Sequence, residues 1–326
     1  MEQELRMDGL TVTILLSAVI FTATPVVLAV IGETLSEKSG VINLSLDGSI
    51  LLSAMGAFAI AVQTGSLTAG FIAGAFIGAA IAGVVALFAL YLRVSQIAVG
   101  FVLALMTRDI AYFLGSPFSG QNGPRLPHQP IPWLSDLPLV GPVLFDHNLL
   151  VYLNFILIPA VWWVVSRTPL GLNLRAVGER PEAAFARGIN PAGTRLVCAV
   201  TGGLLTGLAG GAFSLCVKAG WNHPQGAEGV GWIVLALVIF GRWGVVRATL
   251  GAYFFALLQV GGIYLQQLVP SIPGQVFQVA PFPLMILTLL LINLSAGKTG
   301  GTPFGEDKSA KHGEGMPAAL GKPWPG

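Results

Sequence analysis

Long apolar stretches separated by short polar segments dominate the chain. Residues 48–92 and residues 248–297 contain no Asp, Glu, Lys or Arg. A crossing of the bilayer needs about 20 apolar residues, so each of these stretches has room for two crossings. The pattern therefore predicts an all-α polytopic membrane protein.

The apolar stretches predict about eight or nine transmembrane helices. Residues 230–250 leave the count open, because Arg242 and Arg247 interrupt them and their apolar part, residues 230–240, has 11 residues. A lone helix of that length is too short for a bilayer about 30 Å thick, so the segment is either a half-helix or a crossing completed by its neighbours. The predicted helices cover residues 10–31, 48–64, 67–92, 94–115, 148–166, 196–217, 230–250, 251–268 and 281–296.

The basic residues are distributed unequally between the two longest loops. The loop Arg167–Arg195 carries five arginines, whereas the loop Ser116–His147 carries Arg125 alone. Because Lys and Arg are enriched on the cytoplasmic side, the first loop is predicted to be cytoplasmic and the second external. Counting the predicted crossings back from the external loop puts the N-terminus outside. Counting them forward from that loop requires residues 229–240 to return the chain to the cytoplasm, which favours treating these residues as a crossing.

Residues 297–326 differ in composition from the rest of the chain. They are rich in Gly, Pro and Lys and poor in apolar residues, so they cannot bury a core. We predict that they form a disordered cytoplasmic tail, and that residues 1–296 form the transmembrane domain. The lysines of the tail agree with a cytoplasmic C-terminus.

Small residues recur at helical spacing in two of the predicted helices. One stripe comprises Gly70, Gly74, Gly78 and Ala82, and another comprises Gly203, Gly207 and Gly211. Stripes of this kind let helix backbones approach closely within a membrane. They predict tight packing between helices and need no further function.

Composition agrees with a membrane protein and argues against several other classes. Hydrophobic residues make up 54% of the chain, charged residues 10%, and the mean hydropathy is +0.77. The net charge of +2 comes without a basic run, so nucleic-acid binding is not predicted. All four histidines lie outside the predicted helices, and no paired-carboxylate or cysteine-rich motif occurs. We therefore predict no enzymatic activity, no metal and no cofactor.

A polar segment, residues 32–48, lies between the first two predicted helices. We predict a re-entrant or broken segment here, because irregular backbone near a membrane is tolerated where it is buried in protein or lines a cavity. Asn43, Ser45 and Asp47 recur with period two, so an extended backbone would present all three to a polar solute on one side. The alternatives are a plain cytoplasmic loop and, for Asp47, a cap on the following helix.

Three further residues within the apolar segments carry candidate chemistry. Trp232 offers a face on which a solute ring can stack, although a single aromatic residue in a membrane helix also serves as packing. Arg108 and Asp109 lie toward the outer end of their helix. We interpret these two as an interface anchor or a local ion pair rather than a proton relay.

The predicted cytoplasmic loop contains a short predicted helix. Pro181 suits the first helical position and Gly188 the position just past the end, which brackets about two turns. A rigid helix there is suited to docking a partner, although an ordinary amphipathic loop helix has the same pattern. On the docking interpretation, a bulky charged residue at Ala184 would uncouple transport and leave the bundle folded. The candidate coupling residues are Arg180, Pro181, Glu182, Ala183, Ala184, Arg187 and Gly188.

Three segments resemble the signatures of one permease family in matching order and spacing. Residues 32–48 (GETLSEKSGVINLSLDG) are similar to G-E-x-x-x-E-R-x-G-V-x-N-L-G-x-E-G, with Ser45 for the usual glycine and Asp47 for the usual glutamate. Residues 175–189 (RAVGERPEAAFARGI) and residues 231–243 (GWIVLALVIFGRW) resemble that family's cytoplasmic loop and a late apolar segment. The family is the branched-chain amino acid, ribose and nucleoside branch of ATP-binding cassette (ABC) importer permeases.

The resemblance covers about residues 10–296 and is closest to the second of two paired permeases in nucleoside importers. It implies translocation of nucleosides, or related small polar solutes such as sugars, across the lipid of a bacterial inner membrane. It also implies a paired homologous permease subunit, a cytoplasmic ABC ATPase docked at the coupling loop, and an extracytoplasmic substrate-binding protein. The alternative is a secondary active transporter, which would carry an ionisable coupling residue within a helix.

Overall fold

The computed structural model describes residues 2–138, 140–268 and 315–322, together with the single positions 276, 283 and 287. These residues form ten α-helices and no strand, which confirms the predicted all-α class. The helices are α1 (Glu2–Ser39), α2 (Leu46–Thr64), α3 (Leu67–Leu90), α4 (Gln96–Gly115), α5 (Leu149–Arg167), α6 (Pro169–Glu179), α7 (Pro181–Ala186), α8 (Pro191–Ala212), α9 (Val230–Phe240) and α10 (Val245–Leu268).

Seven helices of the described residues are long and apolar enough to cross a membrane. They cover Val12–Ser39, Leu46–Thr64, Leu67–Leu90, Gln96–Phe118, Leu149–Arg167, Pro191–Val217 and Val245–Gln266. Six of them correspond to predicted helices, and the seventh, in α10, extends a predicted one at its start. The last predicted helix, residues 281–296, lies outside the described residues except for the single positions 283 and 287.

The predicted boundary between residues 250 and 251 is wrong. α10 runs without a break from Val245 to Leu268, and α9 ends before it at Phe240. The separation falls instead at Gly241–Gly244, where Arg242 and Trp243 have positive φ angles of 51° and 58°. Gly251 is tolerated within α10, and a Cβ added to it would lie 3.1 Å from the side chains of Leu237 and Phe240 in α9. The glycine therefore packs two helices together rather than ending one.

α1 extends eight residues further than its apolar pattern predicts. It continues through Gly32, Glu33 and Glu37 to Ser39. The polar side chains of this extension are buried and have partners within the protein, such as the Thr34 hydroxyl, which donates to the Val30 carbonyl at 2.7 Å. Because the polar groups are satisfied, the helix does not have to stop where the apolar run stops.

The predicted small-residue stripes pack α3 and α8 closely against each other. A Cβ added to Gly74 of α3 would lie 3.1 Å from the carbonyl oxygen of Gly207 in α8, and one added to Gly78 would overlap the backbone of Gly203 and Gly207. Only the absence of side chains allows this approach. α2 packs against both helices, so most of its residues are buried.

α9 is a half-helix, which decides between the two predicted alternatives for this segment. Its 11 residues are about 16 Å long, roughly half the thickness of a bilayer. Its first turn lies against Asp47, and the turn after it places Trp243 against Glu37 at the end of α1. The helix therefore spans one half of the bundle, and residues 218–229 return the chain to its start.

Eight residues of the predicted tail pack against the bundle in this structure. Residues 315–322 form a turn in which Ala319 and Leu320 are buried. The N–H of Ala319 donates to the carbonyl of Gly178 in α6 at 2.9 Å, and the N–H of Gly321 donates to the carbonyl of Gly40 at 3.1 Å. Apolar side chains and backbone partners hold this turn, which composition averaged over the tail does not reveal. Residues 297–314 and 323–326 lie outside the described residues.

Candidate functional site

The chain breaks between α1 and α2, within the polar segment that the sequence singles out. Gly40 has a φ of 103°, which ends α1, and the N–H of Val41 donates to the Ser36 carbonyl at 3.2 Å. The N–H of Ile42 then donates to the side-chain oxygen of Gln96 in α4 at 2.9 Å. The prediction of a broken segment is confirmed, although the break is confined to residues 40–45. Most of these residues are buried, so the plain cytoplasmic loop is wrong.

Asn43 and Ser45 form a buried polar pair within this break. The Asn43 side-chain oxygen accepts from the Ser45 N–H at 3.2 Å and from the Ser45 hydroxyl at 2.5 Å. The Asn43 N–H donates to a carboxyl oxygen of Glu33 at 3.1 Å, and Ser49 lies 3.2 Å from the Ser45 hydroxyl. The four side chains connect the end of α1 to the start of α2 through one hydrogen-bond network.

Asp47 does not share an extended face with Asn43 and Ser45, contrary to the period-two prediction. It lies in the first turn of α2, and its Oδ1 accepts from the N–H of Gly231 in α9 at 3.2 Å. The first N–H groups of a helix have no acceptor within the helix, and a carboxylate is favoured at this positive end. Asp47 thus accepts a hydrogen bond from the first turn of α9 rather than capping α2.

Gly231 permits this contact because it has no side chain. A Cβ at this position would overlap the backbone N and Cα of Asp47. The N-terminal ends of α2 and α9 therefore meet directly. Gly48, next to Asp47, packs against Ala104 and Thr107, the ninth and twelfth of the 20 residues of α4, so the meeting point is about halfway along that helix.

Trp232 follows Gly231 and lies on an exposed face that α9 shares with α4. Its side chain is 42% exposed, and its ring centroid is 6.5 Å from that of Phe101, which is also exposed. Trp232 is therefore not a core packing residue in this chain. Further along α4 the side chains of Arg108 and Asp109 form an ion pair at 3.7 Å, as the sequence predicts, and both are exposed.

Glu33 and Glu37 form a buried carboxyl pair that the sequence analysis does not predict. They are 1% and 4% exposed, and their side chains hydrogen-bond to each other one turn apart. The Trp243 indole donates to Glu37, which links α1 to the turn between α9 and α10. The spacing of four residues is a usable signal, because it places two side chains on one helix face. The sequence analysis predicts an irregular backbone for residues 32–48. The spacing of Glu33 and Glu37 therefore could not be interpreted as two positions on one helix face.

A second polar cluster surrounds the approach to α9 from the other end of the bundle. The Tyr112 hydroxyl donates to a carboxyl oxygen of Glu228, and the N–H groups of Gln225 and Gly226 donate to the same carboxylate at 2.7 and 2.5 Å. Burial alone would raise the pKa of Glu228, but these hydrogen bonds to the ionised form outweigh it and lower the pKa below its usual value. Glu228 is therefore ionised, and its carboxylate holds the backbone of residues 225–228 in place through these hydrogen bonds.

The coupling candidates fall on α7 and its ends. Arg180 precedes the helix, Pro181 opens it, and Gly188 follows it with a φ of 83°. The N–H of Ile189 donates to the Ala184 carbonyl at 3.1 Å, which closes the helix at its C-terminus. The predicted short helix and both of its signals are therefore confirmed. α6, which precedes it, was not predicted.

Ala184 faces the protein and not its surroundings. It is 2% exposed and Pro181 is also buried, whereas Glu182, Ala183 and Arg187 are exposed. The expectation that a bulky charged residue at Ala184 spares the fold therefore does not fit the structure. The exposed face of α7 is formed by the residues on either side of it.

Comparison with known proteins identifies the family. Residues 15–292 match the family described as the permease component of the branched-chain amino acid transport system. The chain belongs to this permease family. Since the match covers most of the chain, the break, the half-helix α9 and the short helices α6 and α7 all lie within the family's own region.

Relatives of this permease span nearly its whole length. It is 30% identical to a nucleoside ABC transporter permease of Lactococcus lactis over 91% of its own chain and 98% of the relative's, and 30% identical to a guanosine ABC transporter permease of Bacillus subtilis over 90% and 96%. A relative in Haloferax volcanii, named provisionally as a glucose ABC transporter permease, is 36% identical over 75% of each chain. No solved structure matches the permease.

These matches establish the class of protein. The permease is a multi-pass membrane transport subunit of an ABC importer and not an enzyme. Membership in this family implies a separate ATPase and a substrate-binding protein as partners. It also sets aside the secondary transporter, because an ABC importer draws its energy from the partner ATPase. The buried carboxyls of Glu33 and Glu37 therefore need no role in ion coupling.

Proposed function

We propose that this permease translocates nucleosides across the inner membrane, and that the junction of α2 and α9 forms part of their path. The observation that carries the proposal is the hydrogen bond between Asp47 and Gly231, halfway along α4. Transporters commonly bind solute where interrupted helices end near the middle of the bilayer. Here two helix starts, a carboxylate and a partly exposed indole lie together.

The residues of the junction match the chemistry of a nucleoside. Its sugar hydroxyls need hydrogen-bond partners once water is removed, and the carboxylate of Asp47 supplies acceptors at the junction, with Asn43 and Ser45 in the adjoining break. Its base presents a flat ring, for which Trp232 and Phe101 offer an aromatic face at a centroid spacing of 6.5 Å. Each direct hydrogen bond contributes only about 1 kcal/mol, which suits a path that must release its solute.

The exposed face of α4 supports a paired permease as the other wall of this path. α4 has few buried residues, and its face carries Phe101, Arg108 and Asp109. An ion pair within a membrane helix is costly when it faces lipid, so it faces protein or water. A homologous permease packed along this face would form the opposite wall of the path. Its equivalent side chains would then face the solute from the other side.

The α7 helix is the proposed docking element for the ATPase. Its buried side, Pro181 and Ala184, seats it on the bundle, while Glu182, Ala183 and Phe185 project outward. α6 connects directly to α5, and its carbonyl at Gly178 is also bonded to the C-terminal turn. A push on α7 would therefore reach α1, α5 and α8 through rigid contacts. On this proposal α7 and the C-terminus are cytoplasmic.

Uptake measurements test the proposed substrate. Cells with and without this gene should be supplied with labelled guanosine, uridine, ribose and glucose, and a binding-protein deletion serves as the matched control. We expect uptake of nucleosides to depend on both genes. Gene-dependent uptake of glucose, but of no nucleoside, would contradict the nucleoside assignment and favour the chemistry named for the Haloferax relative.

A further inference from the structure

The C-terminal turn lies across the seam where α6 meets the end of α1. The seam itself is tight, because a Cβ added to Gly178 of α6 would overlap the carbonyl oxygen of Lys38. On the α6 side of the seam the N–H of Ala319 donates to the Gly178 carbonyl at 2.9 Å. On the other side the N–H of Gly321 donates to the carbonyl of Gly40, the first residue of the break, at 3.1 Å. One short segment is therefore bonded both to α6 and to the break.

The attachment of the turn to α1 and α8 is buried. The guanidinium of Arg195, in α8, is 0% exposed and donates to two carbonyls of the turn. A Cβ added to Gly321 would lie 3.0 Å from the side chain of Ile42, so the turn also touches the break directly. Because water cannot compete for these contacts, the turn stays with α1 and α8.

The attachment of the turn to α6 is weaker. Among the described residues it comprises the hydrogen bond from Ala319 and a second one, from the Ala318 N–H to a carboxyl oxygen of Glu179 at 3.3 Å. Glu179 is exposed, so water competes for this acceptor. Pro317 lies beside Gly178, which has no side chain to pack against it. Contacts of this kind open locally at low cost, so α6 is the neighbour from which the turn can separate.

The two sides of the turn belong to different parts of the transport machinery. Only Arg180 separates α6 from α7, the proposed docking element for the ATPase. The break on the other side contains Asn43, which bonds to Ser45 and Glu33. The turn therefore connects the element that the ATPase would move to the segment that adjoins the solute path.

We propose that the C-terminal turn is a latch, which holds α6 to the break between transport cycles and releases α6 when the ATPase moves α7. The proposal rests on the docking element and the path proposed above. While the latch is closed, α6 cannot move away from α1 without breaking both hydrogen bonds of the turn. After release the turn stays on Arg195, where it is in place to bond α6 again.

Reversible cross-linking of the assembled importer tests the release. Glu179→Cys and Ala318→Cys, at two exposed positions, are combined with Cys198→Ala and Cys216→Ala, and the new thiols are joined by a short bis-methanethiosulfonate linker that dithiothreitol removes. We expect a high yield without nucleotide, and a yield lower by about fivefold or more after trapping with ATP and vanadate, since at least one hydrogen bond is lost.

A cysteine pair within one helix is the control for this comparison. Leu172→Cys/Ala176→Cys lies one turn apart in α6 and should cross-link equally in both states. Equal yields for the latch pair as well would overturn the proposal. No solute is needed, so the result does not depend on the nucleoside assignment, and failure of the docking proposal is detected separately as normal coupling in Ala183→Asp.

Locking the turn to α6 should stop the cycle. The cross-linked Glu179→Cys/Ala318→Cys importer should lose ATP hydrolysis, and dithiothreitol should restore it, whereas each single-cysteine variant treated in the same way should keep its activity. A contact that only stabilises the fold would not have to open. Full activity of the cross-linked importer would therefore overturn the latch.

Weakening the latch should have the opposite effect. Glu179→Ala removes an exposed acceptor, so it should leave the unfolding temperature unchanged and raise ATP hydrolysis without the binding protein by up to about fivefold. Glu179→Gln keeps an acceptor oxygen and should remain near the unchanged protein. Equal ATP hydrolysis by Glu179→Ala and the unchanged importer would show that this contact does not restrain α6, which would overturn the proposal.

Discussion

Arg195 donates a hydrogen bond from Nη2 to the carbonyl oxygen of Ala319 at 3.3 Å. The same buried guanidinium donates from Nε to the Ser39 carbonyl at 3.1 Å and from Nη1 to the Lys322 carbonyl at 3.0 Å. One side chain at the start of α8 thus joins the end of α1 to the C-terminal turn. Only arginine carries donors in the planar arrangement that these three carbonyls require.

We expect Arg195→Lys to destabilise the permease by about 1–3 kcal/mol, because an ammonium group cannot reach all three carbonyls and leaves buried acceptors unpaired. Thermal unfolding of the purified protein measures this, with the exposed Arg180→Lys as control. Deletion of residues 315–326 should cause a similar loss. The two changes together should cost little more than one alone, and full additivity would show that Arg195 acts independently of the turn.

Asp47→Asn tests the solute path. The amide keeps an oxygen that can accept from the Gly231 N–H, so expression and folding should be normal. The charge is lost, and we expect impaired or altered nucleoside uptake. Asn43→Ala should act in the same direction, while Thr64→Val at the far end of α2 should not. Unchanged uptake of every nucleoside by both variants would remove the break from the path.

The same substitution at two neighbouring positions tests α7. Ala183→Asp places a charge on the exposed face, so it should separate ATP hydrolysis from transport in the assembled importer and leave the unfolding temperature unchanged. Ala184→Asp buries the charge, so it should lower the unfolding temperature. Normal coupling in Ala183→Asp, together with normal coupling in Phe185→Asp, would show that the ATPase docks elsewhere.

Labelling tests the orientation. A cysteine at Gln121 should react with an impermeant maleimide in intact cells, because the arginine-poor loop is predicted to be external. A cysteine at Ala183 should react only after permeabilisation, and a tag after Gly297 should be protected in the same way. Cys198 and Cys216 are free thiols, so the unsubstituted protein supplies the background. Reversal of the two cysteine results would invert the topology.

A pair of glycines in α3 tests the packing against α8. Gly78→Ala should destabilise the protein by about 1–3 kcal/mol, since the added methyl group overlaps the backbone of Gly203 and Gly207. Gly83→Ala, one and a half turns away, meets only the Val200 side chain at 3.6 Å and should be neutral or slightly stabilising. Equal effects on the unfolding temperature would show that close backbone contact is not what holds the pair.

The sequence predicts those features that depend on local pattern. Apolar length places the spanning helices, and small residues at a spacing of four place the contact between α3 and α8. Pro181 and Gly188 place both ends of α7. Each of these signals lies within a few residues of the feature it predicts, and each is confirmed within the described residues, apart from the boundary predicted between residues 250 and 251.

Features that depend on contacts between distant residues were missed or misassigned. Asp47 has an acceptable role as a cap in its own helix, and only the fold reveals that its partner is Gly231, 184 positions away. The extension of α1 through Glu33 depends on Asn43 supplying a donor from another segment. In the same way Arg195 looks like one more cytoplasmic arginine until the carbonyls it meets are known.

The half-helix α9 constrains how the chain enters the membrane during synthesis. Eleven apolar residues are too few to be held in lipid as an independent segment, so the insertion machinery has no reason to retain them alone. Asp47 accepts a hydrogen bond from the start of α9, and Glu37 accepts one from Trp243 in the turn after it. Both carboxyl groups belong to helices that are synthesised long before α9. α9 is therefore added to a template that already exists. A truncated chain that lacks α1 and α2 is expected to leave residues 218–244 outside the bilayer, exposed to proteases.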